Sequence, residues 1–134
     1  EEVQRDVDEA EVFDDLKQYA EWLSRDVQTL ETTTVHLLNV ASQGDKEIFL
    51  SDATLYIELF GLVNVAWQWL KQGIASQKKL GLNHQTERDK KFYRSKIETM
   101  QLFFHYELVK TKSLYERLMD KKVLTVWKEE DALL

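Results

Sequence analysis

No proline interrupts this chain of 134 residues, and glycine stands at only four positions. Proline removes a helical hydrogen bond and clashes with the preceding turn, so a chain that lacks it is free to run long helices. Apolar residues repeating at steps of three and four show that this chain uses that freedom, and the fold class it predicts is all-α. The length allows one domain, residues 1–134, whose single core buries roughly two-thirds of the unfolded surface.

The first stripe runs through Phe13, Leu16, Ala20, Leu23, Val27, Leu30, Thr34, Leu37 and Ala41. It is one face of a helix with a polar remainder, and Gly44, which accepts a left-handed cap, should end it. A second helix is expected from about Asp45 to Lys79, stopped by Gly81. Within it, the eighteen residues from Ala53 to Leu70 carry one formal charge, Glu58. Apolar side chains fall on all sides there, so neighbours are needed on at least two faces. A membrane span of such length is conceivable, but Glu58, Asn64 and Gln68 interrupt it and no basic flank accompanies it, so the expectation is a bundle helix and no membrane span. Thr86-Glu87-Arg88-Asp89 reads as the capped start of a third helix. Its face is Tyr93, Ile97, Met100, Phe104, Leu108, Thr111, Leu114 and Leu118, widened by Phe92, Phe103 and Tyr115. VLTVW at 123–127 alternates weakly and reads as an extended C-terminal strap anchored by Trp127. The architecture is an up-down antiparallel bundle of three long helices plus that tail. Kinks at Gly61 or in Thr32-Thr33-Thr34 would raise the count to four or five. The acidic opening EEVQRDVDEAE matches no targeting peptide and reads as the edge of a fragment of something longer.

The chemistry-bearing residues do not assemble into a catalytic pattern. Cysteine is absent, which excludes disulfides and thiolate sites and fits a cytoplasmic home. His36, His84 and His105 share no helix face with a second ligand, so no metal site is assigned. Nucleophile-elbow, dinucleotide and phosphate-loop motifs are missing, and no catalytic residue is assigned. Asp52 and Glu58 are expected to pair with cations of the next helix, and Trp67, Trp69, Phe103 and Phe104 to pack in the core or an interface. The net charge of −6 argues against nucleic acid. The charge is unevenly spread: residues 1–26 hold ten acids against three bases, and residues 78–96 hold seven bases against two acids. Lys78, Lys79, Lys90, Lys91, Arg94 and Lys96 read as a solvated rim that could also meet an anionic cofactor tail or an acidic partner.

DATLYIELFGLVNVAWQWLKQG, FYRSKIETMQLFFHYEL and LYERLMDKKVLTVW, in this order, resemble the extra helical domain that follows the catalytic body in a branch of acyl-CoA dehydrogenases. The resemblance spans about His36 to Trp127. It rests on Asp52, Tyr56, Gly61 and Trp67 in the first signature and on Phe92, Tyr93, Lys96, Phe103 and Phe104 in the second, all expected to be structural. Relatives of this type usually carry proline after the Glu-Leu of the second signature; Val109 stands here, which implies an unkinked third helix. The resemblance implies an oxidoreductase parent of fatty acid metabolism, a flavoprotein whose FAD and base glutamate lie in preceding domains, and no cofactor in this segment. It also implies a non-catalytic role: docking on those preceding domains, or homo-oligomerising through the apolar face of the second helix, with a patch near Leu59, Val63 and Trp67. A stand-alone helical interaction module is the alternative reading.

Overall fold

The computed structural model describes residues 1–44 and 46–120, and the strap expected at 123–127 lies outside them. Five α-helices follow in order: α1 Glu2–Glu11, α2 Asp14–Ser42, α3 Lys46–Leu80, α4 Glu87–Tyr106 and α5 Thr111–Met119, with a 3-10 turn at Leu108–Lys110 between the last two. No strand occurs among the described residues. α2, α3 and the α4–α5 rod form the expected up-down-up bundle, and α3 touches every other element.

The helix boundaries have local causes. Gly44 sits at φ 90° and its N–H reaches the Ala41 carbonyl at 3.2 Å, closing α2 as expected. Thr86 caps α4, its hydroxyl accepting the Asp89 N–H at 3.1 Å. The first eleven residues are more than an acidic edge: α1 buries Val7 and Ala10 against the bundle. Phe13, extended at φ −98° and ψ 120°, turns the chain from α1 into α2 while its ring packs on the core.

Neither anticipated kink is present. α3 passes through Gly61 unbroken. α2 passes through the threonine run with the Thr33 and Thr34 hydroxyls donated to the carbonyls of Thr29 and Leu30, each at 2.8 Å. The break falls instead at Glu107, and the unkinked continuation expected from Val109 is incorrect. Winding tightens there for one turn without any proline. In a 3-10 turn residues three apart lie over one another, which suits the Lys110–Glu107 ion pair at 2.8 Å and the Thr111 hydroxyl's bond to the Leu108 carbonyl at 2.8 Å.

The core runs along the inward side of α3, through Leu59, Val63, Ala66, Leu70 and Ile74. It meets Leu16, Leu23 and Leu37 of α2, Ile97, Met100 and Phe104 of α4, and Leu114 and Leu118 of α5. Side chains crowd in on Gly73, where an added Cβ would lie 2.7 Å from Met100 Sδ and 3.3 Å from Leu16 Cδ2.

Candidate functional site

α3 is the helix that the sequence marks as apolar all round, and the fold decides which of its sides is covered. The inward side holds Leu59 and Val63, which are 0% and 4% exposed. Trp67 is partly buried and donates its indole N–H to Asp6 of α1 at 2.8 Å. The patch expected near Leu59, Val63 and Trp67 is therefore interior. With apolar residues on every side the sequence cannot select a face, and α1, which covers Trp67, was not foreseen.

The side left open carries Leu50, Ile57, Phe60 and Val65, which are 67%, 68%, 51% and 43% exposed. Ile57, Gly61, Asn64, Val65 and Gln68 follow one another at helical spacing, so they form one continuous strip. Phe49–Leu80 is long and apolar enough, by length and composition, to cross a membrane, and only 22% of its most apolar window is buried. Here it has protein neighbours on its inner side, while Glu58, Asn64 and Gln68 lie on the exposed one. Gly61 stands in the middle of this strip, and a Cβ added there meets nothing within 4 Å. Glycine inside a helix costs about 1 kcal/mol relative to alanine. The bundle itself gives no reason for that cost.

The other signature residues are spread along the molecule and do not converge. Asp52 is buried near the start of α3, and the Tyr56 hydroxyl meets Thr34 Oγ1 of α2 at 2.6 Å. Phe104 is fully buried, its ring edge-on to Tyr19 at 5.4 Å, and Phe103 packs beside it on the core. Phe92 is 54% exposed, with the edge of Tyr93 at 5.3 Å and the Lys96 ammonium 5.4 Å from its ring. Lys96 also closes a shallow groove with Val65, Gln68, Trp69 and Gln72. Trp67, Trp69, Phe103 and Phe104 all pack on the core, as the sequence led one to expect.

The expected ion pairs of Asp52 and Glu58 are absent among the described residues. Glu58 is exposed and acts only at a distance: Glu107, and more weakly Glu58, push the Lys110 ammonium above its ordinary value. The acidic and basic segments meet in part, since Lys78 pairs with Glu9, and Gln77 donates to Asp15 at 3.1 Å. Lys90 pairs with Glu87 at 3.5 Å within its own helix. No group of three or more His, Asp or Glu among the described residues could hold a metal ion. His105 Nε2 lies 3.1 Å from the Tyr19 hydroxyl, and burial pushes that phenol up.

One polar feature escaped sequence reasoning. Asp26 of α2 is buried at 4% exposure, and its Oδ2 has no partner among the described residues. Desolvation pushes its carboxyl up; Arg25, whose Nε lies 3.3 Å from Oδ1, opposes this. The available signal was an acid beside Leu23, Val27 and Leu30 on the apolar stripe.

The described residues form a helical bundle whose longest helix leaves an apolar strip uncovered. This chain belongs to the family described as acetyl-CoA dehydrogenase C-terminal like, whose model matches residues 1–126. That match takes in α1, which the resemblance from His36 onward had left out. No curated protein and no solved structure matches.

Proposed function

We propose that this chain is the non-catalytic C-terminal helical domain of an FAD-dependent acyl-CoA dehydrogenase-like enzyme of the cytoplasm. It docks through the outer strip of α3 on the preceding catalytic domains or on a second subunit. The FAD and the catalytic base belong to those preceding domains, and no residue of this chain takes a chemical step. Family membership supports the first part. The observation that carries the docking is Gly61, a helix-weakening residue in open space among Ile57, Phe60 and Val65. A glycine placed there lets another backbone approach closely, and an exposed apolar strip is what such an approach would bury.

Sedimentation of the chain alone and mixed with a polypeptide carrying the preceding domains tests this. The expected result is self-association or co-sedimentation, abolished by the double substitution Ile57→Lys and Phe60→Lys with the helical spectrum retained. A chain that stays monomeric at high concentration and ignores those domains overturns the proposal.

A further inference from the structure

The 3-10 turn between α4 and α5 leaves a cavity of 410 Å³ against α2. Its walls are Arg25, Asp26 and Thr29 on one side and Val109, Lys112 and Tyr115 on the other. That volume falls within the roughly 300–1,000 Å³ of small-molecule sites. None of these residues belongs to the α3 strip, so the cavity is independent of the docking reading.

Its polar groups favour one sign of ligand. The Asp26 side chain is 5% exposed, and its Oδ1 takes Arg25 Nε at 3.3 Å, which fixes the root of a guanidinium that is itself 63% exposed. Asp26 Oδ2 is the buried side-chain oxygen left without a partner. Lys112 is exposed and makes no ion pair among the described residues. The Thr29 and Thr111 hydroxyls have already given their protons to the carbonyls of Arg25 and Leu108, at 3.1 and 2.8 Å. An incoming cation would therefore face Arg25 and Lys112, and find Oδ1 engaged and Oδ2 buried out of its reach. An incoming anion meets two cations and the Tyr115 phenol, with Val109 and the Tyr115 ring as an apolar wall.

We infer that this cavity binds a small organic anion, a phosphate or carboxylate carried on an apolar or aromatic body, with Arg25 and Lys112 holding the anionic group. Val109 and Tyr115 flank the body, and Asp26 is a positioning residue that orients Arg25.

The test is isothermal titration of the 134-residue chain at fixed ionic strength with phenyl phosphate, inorganic phosphate and benzoate in separate arms. Saturable binding at one site is expected for phenyl phosphate or benzoate, and the tighter of the two identifies the anionic group. Inorganic phosphate, which lacks the body, binds more weakly. Lys112→Gln weakens binding by about fivefold or more, as loss of a charge-assisted contact should. Arg25→Gln does the same, but it also strips Asp26 of its partner, so Lys112→Gln, checked for an unchanged helical spectrum, is the deciding variant. Lys91→Gln on α4 changes nothing. The inference is overturned if neither organic anion saturates, if inorganic phosphate binds as tightly as both, or if Lys91→Gln costs as much as Lys112→Gln.

Discussion

The same substitution at two glycines of α3 should have opposite consequences. Gly61→Ala and Gly73→Ala both replace a helix-interior glycine, and each gains about 1 kcal/mol of helix propensity. At Gly61 nothing lies within 4 Å of the new methyl, so the gain is kept and the isolated domain becomes more stable. At Gly73 the methyl arrives 2.7 Å from Met100 Sδ and 3.3 Å from Leu16 Cδ2. Both of those residues are 0% exposed, so neither tip can retreat into solvent and the close-packed core must shift. Overpacking of this kind costs about 1–3 kcal/mol. Because the propensity gain is common to both variants, the difference between them isolates the overpacking cost, about 1–3 kcal/mol in favour of Gly61→Ala. Urea unfolding followed by circular dichroism, with slopes compared to confirm that only stability has changed, measures it directly. Equal stabilities, or a more stable Gly73→Ala, would refute the packing assigned to α3, α2 and α4.

Other consequences are simpler to state. Trp67→Phe removes the donor to buried Asp6 and should destabilise the chain by about 1.5–3 kcal/mol, with α1 the first element to lose hydrogen-exchange protection. An unchanged exchange pattern in α1 would mean that the Asp6 contact does not hold that helix. Asp26→Asn should stabilise at neutral pH: the folded carboxyl binds its proton more tightly than the unfolded one, so the wild type is penalised as pH rises from about 4 through the raised folded value. The advantage of Asn should shrink on acidification toward that lower limit, and an advantage that grows instead would reverse the sign argued from burial.

Most of the helical architecture could be read from periodicity because the stripes of α2 and α4 are narrow and the Gly44 and Thr86 signals are strong. α1 was harder to see: its apolar content is little more than Val3, Val7 and Ala10, and its docking depends on a hydrogen bond sixty-one residues away in sequence, from Trp67 to Asp6. The break after Glu107 was hidden for a related reason, since Leu108, Thr111, Leu114 and Leu118 fit an unbroken helix equally well. Placement of the open strip failed at the one point where pattern carries no information, a helix apolar all round, on which only the tertiary contacts separate Leu59 from Phe60. The Asp26 cavity lies beside the unforeseen break, and of its walls only Val109, Thr111 and Tyr115 stood out in the sequence.

The central claim is that α3 offers its outer strip to the rest of an enzyme, and hydroxyl-radical footprinting tests it most directly. Side-chain labelling of Ile57, Phe60 and Val65 would be compared in the isolated domain and in the same domain joined to its catalytic body. The account predicts strong protection of these three on joining, with Val12, 79% exposed at the α1–α2 turn, labelled equally in both. Equal labelling of Ile57, Phe60 and Val65 in both states would contradict it.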